Sequence, residues 1–283
     1  METLRRVADL RRVLAAFRAR GETLGLVPTM GALHAGHMAL VARAKETCAR
    51  VVVSIFVNPA QFGPNEDLGG YPRDEAGDTR KLAAAGVDVV YAPPVAEMYG
   101  EGFSTSVRVT GLTEGLCGAF RPVHFEGVAT VVTKLLLQAL PDVAFFGEKD
   151  YQQLRVVERL VRDLDIPVRI EGVATVREAD GLALSSRNRY LSEPERCIAP
   201  LLYRTLCSAA EGLKRAKGAP EIAAALEKAK RDLLAGGFSS VDYFELRDAE
   251  TLAPVARIGR PARLLAAAKL GATRLIDNVP VPA

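Results

Sequence analysis

Two rhythms of apolar and polar positions alternate along the first 170 or so residues. Short, nearly unbroken apolar runs at 23–28, 51–57, 87–91 and 143–146 read as buried strands. Longer mixed stretches at 36–49, 73–85, 128–140 and 151–164 read as helices. Near-continuous apolar strands separated by helices predict a parallel sheet covered on both faces. The fold class is therefore α/β, a doubly wound Rossmann-like sheet extending to about residue 172. The Arg-rich, amphipathic N-terminus, 1–21, resembles a transit peptide on its surface. Its Glu2 and Asp9, and the strand that follows at once, favour an ordinary first helix.

Past residue 172 the pattern changes. Residues 181–191 are polar and loop-like, and two Ala/Leu/Lys-rich helices follow at 193–217 and 220–235, the second opened by a Pro. Strands are expected at 241–246, 262–268 and 273–277, the last two forming a hairpin around Lys269-Leu270-Gly271. This predicts a Rossmann-like domain over 1–175 and a smaller α+β lid domain over 176–283.

Composition narrows the function. The length, 283 residues, suits two domains. Lys and Arg number 37 against 34 Asp and Glu, a net charge of +3, which argues against a dedicated nucleic-acid or membrane binder. No apolar stretch approaches the roughly 18 residues that span a bilayer. Cys48, Cys117, Cys197 and Cys207 show no CxxC spacing, so neither a zinc knuckle nor a disulfide framework is expected. A reduced, cytoplasmic setting follows.

Only three histidines occur, and two of them, His34 and His37, sit at the turn between the first apolar run and its helix. That is where a doubly wound sheet binds ligands, and where free N–H groups and the helix dipole attract phosphate. Three residues apart in a helical first turn, the two imidazoles project to one side and can hydrogen-bond phosphate oxygens. Capping or surface histidines are the plainer alternative. A second cluster, Gly147-Glu148-Lys149-Asp150, again joins strand to helix; Lys149 is a candidate phosphate cation, and Gln153 suits substrate hydroxyl or carboxylate groups. The third, Leu184-Ser185-Ser186-Arg187-Asn188-Arg189, has the hydroxyls and Arg fork of a phosphate clamp, or of a solvated loop with capping serines.

Together the segments resemble nucleotidyl-transferring α/β enzymes. Pro28-Thr29-Met30-Gly31-Ala32-Leu33-His34, Phe56-Val57-Asn58-Pro59-Ala60-Gln61-Phe62, Tyr71-Pro72-Arg73, His124-Phe125, Gly147-Glu148-Lys149-Asp150 and Ser185-Ser186-Arg187-Asn188 occur in the order of the pantothenate synthetase family. The resemblance implies joining of pantoate to β-alanine through a pantoyl-adenylate, with release of pyrophosphate and then AMP. It implies that Met30, Gly31, Ala32, Leu33, His34, Ala35, Gly36 and His37 contact ATP, with the histidines on its phosphates. Gly147, Glu148, Lys149, Asp150 and Val176 would line the nucleotide site, and Leu184, Ser185, Ser186 and Arg187 would close it from the second domain. Gln61 and Gln153 would hold pantoate, with Asn58 shaping that pocket. His34, His37, Lys149, Ser185 and Arg187 are the candidate catalytic residues.

Three positions depart from the family pattern: Val123 for Gly, Ala60 for Thr and Leu184 for Met. None removes a charged or amide group, although the first makes a role for His124 less secure. Magnesium is expected with ATP; Asp78 and Asp150 are acidic candidates, and no metal ligand is assigned. The resemblance also implies a homodimer through the first domain. A cofactor adenylyltransferase, an RNA-binding relative of aminoacyl-tRNA synthetases and a non-catalytic nucleotide sensor are the competing readings.

Overall fold

The computed structural model describes residues 1–64, 66–216 and 218–282. The chain runs β1 (Glu2–Leu4), α1 (Val7–Arg18), β2 (Leu24–Thr29), α2 (Ala35–Thr47), β3 (Arg50–Ile55), α3 (Glu75–Ala84), β4 (Val89–Tyr91), α4 (Val95–Met98), α5 (Cys117–Phe120), α6 (His124–Ala139), β5 (Val143–Gly147), α7 (Tyr151–Asp163) and β6 (Arg169–Val173). These strands form a six-stranded sheet, ordered β1-β4-β3-β2-β5-β6 and parallel throughout. From β2 the chain winds outward through β3 and β4, then restarts on the other side at β5. The β2/β5 boundary is the topological switch point, where such sheets bind ligands beyond the strand ends.

Successive residues face opposite ways, and both faces are buried. Leu24, Leu26, Val52, Val89, Ala144 and Phe146 pack with residues of α1, α6 and α7. Val27, Val51, Val53, Val90, Val143 and Phe145 pack with Leu40, Val41 and Ala44 of α2 and Leu82 of α3.

The second part comprises α8 (Glu193–Ile198), α9 (Leu201–Leu213), α10 (Ala219–Ala235), β7 (Ser240–Asp248), β8 (Ala262–Leu270) and β9 (Thr273–Val281). Its strands form an antiparallel sheet ordered β7-β8-β9. One face, including Phe244, Leu264, Ala266 and Leu275, packs on its own helices. The other contributes Tyr243, Leu265 and Ala267 to the core under α6 and α7, so the small sheet is a packed layer between its helices and the large sheet.

Four expectations are corrected. Residues 2–4 are a strand rather than the start of a helix: Glu2, Thr3 and Leu4 pair with Val89, Val90 and Tyr91. Helix α6 starts at His124, four residues before the expected start, because His124 and Phe125 are buried against the core. The expected helix over 193–217 is two helices broken at Ala199-Pro200, since proline has no N–H to continue the ladder; its expected end, Lys217, lies outside the described residues. The polar 181–191 segment contains a 3-10 turn over Ser186–Tyr190. The hairpin at Lys269–Gly271 is present, with Gly271 at φ 57°.

Candidate active site

Loops leaving the carboxyl ends of β2, β3, β5 and β6 surround a cavity of about 680 Å³, roofed by the 182–188 segment and the small sheet. Its volume falls in the ~300–1,000 Å³ span of ligand pockets. Met30, His34, Gly36, His37, Asn58, Gln61, Gly147, Lys149, Asp150, Gln153, Val176, Leu184, Ser185, Ser186 and Arg187 all line it. Gly31, Ala32, Leu33, Ala35 and Glu148 do not lie on the wall. Gly31 (φ 76°) and Ala32 (φ 51°) form the turn that feeds α2, and the Leu33 N–H donates to Asp78 Oδ1 at 2.9 Å. The Glu148 carboxylate instead meets Arg263 at 3.0 Å.

His34 caps α2: its Nδ1 accepts the Gly36 N–H at 3.1 Å, while His37 Nδ1 accepts the His34 N–H at 3.3 Å. The capping alternative is thus realised, and it organises the site. With Nδ1 of each ring used as an acceptor, the proton of each neutral imidazole sits on Nε2. The rings stand 4.1 Å apart. Burial, followed by the Lys149 charge, lowers His34 to about 4; burial, followed by His34, lowers His37 to about 3. At neutral pH the pair presents two uncharged N–H donors at a helix N-terminus, a combination suited to phosphate.

Opposite lie the cations. Lys149 has Asp150 as its acidic neighbour at 3.7 Å, beyond hydrogen-bond reach. Burial works to raise the Asp150 pKa, but Lys149 and Arg187 outweigh it and hold the carboxyl below its usual range. Burial likewise opposes the Arg187 charge, and Asp67, 3.1 Å away, more than offsets it. Ser185 Oγ accepts the Arg187 N–H at 3.3 Å and so starts the 3-10 turn. Ser186 lies 3.4 Å from the Tyr71 hydroxyl, and Tyr190 donates to the Gly70 carbonyl at 3.1 Å. The loop carrying the third cluster is docked on residues 67–71.

The amide pocket is built on Asn58, only 1% exposed. Its Nδ2 donates to Gln61 Oε1 at 3.1 Å and to the Gly127 carbonyl at 3.0 Å; its Oδ1 accepts from Tyr99 Oη at 2.7 Å. Gln61 Nε2 contacts Met30 Sδ at 3.1 Å. Helix α6 lies so close to the Pro59–Gln61 turn that a Cβ on Gly127 would fall 2.3 Å from the Ala60 oxygen. His124 Nδ1 meets the Gln61 carbonyl at 3.1 Å and therefore carries the proton, the opposite tautomer to the other two. Its ring packs 4.9 Å from Phe125, so His124 is held as a structural residue of the wall. Tyr71, Tyr99 and Asp67 are not legible as site residues from their local sequence, because the contacts of all three join segments far apart in the chain.

A doubly wound α/β enzyme with its cavity opening at the first βα turn is the class that this fold defines. A family model for pantoate-beta-alanine ligase matches residues 2–280. The pantothenate synthetase of Paramagnetospirillum magneticum is 59% identical over 98% of this chain and 97% of its own length. That of Cereibacter sphaeroides is 57% identical, over 98% and 99%. The crystal structure of pantothenate synthetase from Thermus thermophilus superposes with a TM-score of 0.93 at 50% identity, covering 100% of both chains. The Francisella tularensis pantoate-beta-alanine ligase, complexed with beta-gamma ATP and beta-alanine, gives 0.82 at 33% identity, over 99% and 97%. The chain belongs to the pantoate-beta-alanine ligase family and is a ligase.

Proposed function

We propose that the protein condenses (R)-pantoate with β-alanine to pantothenate, using ATP and passing through a pantoyl-adenylate. The observation that carries this reading is the pair of neutral Nε2 donors at the start of α2, facing Lys149 and the Ser185–Arg187 turn across one cavity. In the first step the pantoate carboxylate attacks the α-phosphate and pyrophosphate leaves. The carboxylate is already ionised at neutral pH, so alignment and charge neutralisation matter more than a base. With pKa values near 4 and 3, His34 and His37 serve as hydrogen-bond donors to phosphate oxygens rather than as a proton store. Lys149 and Arg187 supply positive charge, and Ser185 and Ser186 lie beside Arg187 on the second domain's side. Gln61, oriented by Asn58, and Gln153 hold pantoate. In the second step the β-alanine amine, having lost its proton, attacks the acyl carbonyl and AMP leaves.

Magnesium, brought in on ATP, would supply positive charge to offset the phosphates. Among the described residues no three His, Cys, Asp or Glu side chains form a metal cluster. A cation brought in on ATP needs only one or two carboxylates, and Asp150 on the cavity wall fits that need. Asp78, 1% exposed and turned onto the Gly31–Leu33 backbone, does not. We place the enzyme in the cytoplasm, where its four free thiols would stay reduced; no helix among the described residues is long and apolar enough to cross a membrane. We infer a homodimer through the first domain, supported by exposed Val95, Phe103, Leu137 and Leu140. The deciding experiment is exchange of labelled pyrophosphate into ATP. Exchange that requires pantoate is expected; exchange with another acid and none with pantoate would reject the substrate assignment.

A further inference from the structure

Neighbouring residues on a strand point to opposite faces, and Asp277 and Asn278 of β9 thereby reach two different parts of the cavity wall. Asn278, 3% exposed, donates both Nδ2 hydrogens to the chain at Lys149: to the Glu148 carbonyl at 2.9 Å and the Lys149 carbonyl at 3.0 Å. Its Oδ1 accepts from Arg263 Nε at 2.6 Å. A guanidinium only donates, so this bond fixes which end of the amide is oxygen. Arg263 then pairs with Glu148 and lies 4.2 Å over the Tyr151 ring, closing the bracket around the 148–151 turn.

Asp277, 4% exposed, takes both prongs of Arg177, at 2.6 and 2.9 Å. Arg177 also donates to the Gly181 carbonyl at 3.1 Å and stacks 3.7 Å from the Tyr203 ring centroid. The 177–184 turn is closed by a bridge between Arg177 and Ala183 and by the Leu184 N–H on the Val176 carbonyl at 3.0 Å. Ser185, Ser186 and Arg187 follow directly. Asp277 Oδ1 also accepts the Asn278 N–H at 2.7 Å, which ties the two braces together.

We propose that Asp277 and Asn278 form a positioning pair for the phosphate site. Asn278 sets the backbone that carries Lys149, and Asp277, through Arg177, sets the turn that carries Ser185–Arg187. One dipeptide of the small sheet thus holds both cationic walls at a fixed separation without touching the reacting atoms. The inference rests on the reading of this cavity as an ATP site.

The test measures the Kd of a non-hydrolysable ATP analogue by calorimetry, pantoate-dependent pyrophosphate exchange, and the Tm. Asn278→Asp keeps the shape but removes both donors. It is expected to weaken the analogue about tenfold while the KM of pantoate changes less than about twofold, because misplaced charge hurts the phosphates selectively. In a Lys149→Ala background the same change should add less than about twofold, since its effect runs through Lys149. Should Asn278→Asp not fold, Asp277→Asn carries the test, with a loss of about threefold or more that is non-additive with Arg187→Ala. Wild-type analogue binding and exchange with an unchanged analogue Kd in the variant, or with fully multiplicative effects, overturns this inference alone. A wild-type enzyme that neither binds the analogue nor exchanges overturns the ATP reading and this inference with it.

Discussion

At the amino ends of the large sheet, charged groups meet one another. Arg50 pairs with Glu22 and with Asp88, each at 2.8 Å, and Lys45 reaches Asp88 at 3.4 Å. Asp88 also accepts the Val51 N–H at 2.9 Å, and Asp142 the Leu24 N–H at 2.7 Å. Hydrogen bonds from Arg50, then Arg20, pull Glu22 down to about 2. At the carboxyl ends the arrangement is reversed. The histidines are uncharged there, and Lys149 stands beyond hydrogen-bond reach of its acidic neighbour. One end satisfies its charge within the protein; at the other Arg187 is paired with Asp67, but Lys149 and the two histidine N–H donors remain directed at a cavity. Strand direction accounts for the difference, because helices start at the carboxyl ends and bring their free N–H groups with them.

The most damaging way to probe the cavity end is to remove a donor. His37→Ala should lower pantoate-dependent exchange by about 10²–10³, the usual cost of losing one donor to a developing charge. The Tm should move by only a few degrees, since the lost internal bond is a single 3.3 Å contact to a backbone N–H. Wild-type exchange rates in this variant would remove the histidines from the phosphate site.

A steric intrusion comes next. Gly127→Ala would place a Cβ 2.3 Å from the Ala60 oxygen and 2.6 Å from Gln61 Cα. Backbone on both sides must shift, at a cost of about 1–3 kcal/mol. Because the displaced turn holds Gln61, the KM of pantoate should rise severalfold as the urea midpoint falls. A lower midpoint with an unchanged KM would detach Gln61 from pantoate binding.

How far these features can be read without coordinates depends on the range of the contact. The β2, β3 and β5 runs, the C-terminal hairpin and the His34/His37 turn are local patterns, legible from a few consecutive residues. Strand β1 is not: three residues beginning with Glu2 look like the start of an amphipathic helix until Val89–Tyr91 pair with them. The start of α6 hides because Gly127 has poor helix propensity, and only the approach of Ala60 explains its presence. Asn278 is a polar residue near the end of an apolar run, indistinguishable from a solvent-facing one without Lys149 beside it. The sequence motifs name the residues around the cavity, but partners such as Tyr99 for Asn58 and Asn278 for the Lys149 backbone come from 41 and 129 positions away.

A milder probe titrates the cavity end alone, where all three histidines line the wall. His34, His37 and His124 have native pKa values near 4, 3 and 4, each lowered first by burial, against 6.5 ordinarily. Between pH 6.5 and about 4 the unfolded chain takes up protons that the native state refuses. Their contribution is complete above pH 6.5 and is lost as pH falls toward the native values. The urea midpoint should therefore decline over that window, and His37→Gln should make the decline shallower. Equal slopes in the two proteins would mean that His37 is not held neutral.

The smallest effect is expected at the amino end, and it isolates stability from chemistry. Arg50→Ala leaves Glu22 with Arg20 and Asp88 with Lys45 and the Val51 N–H, so no carboxylate is stranded. Arg50 is itself partly exposed, and partly exposed ion pairs contribute little. A fall in Tm of about 2–4 °C is expected, shrinking as salt screens the pairs. The KM values of ATP and pantoate and the exchange rate at 25 °C should match wild type, because the length of the strands separates Arg50 from every cavity residue. A change in ATP KM without a change in Tm would show that charge at the amino ends reaches the phosphate site, and the division between the two ends of the sheet would fail.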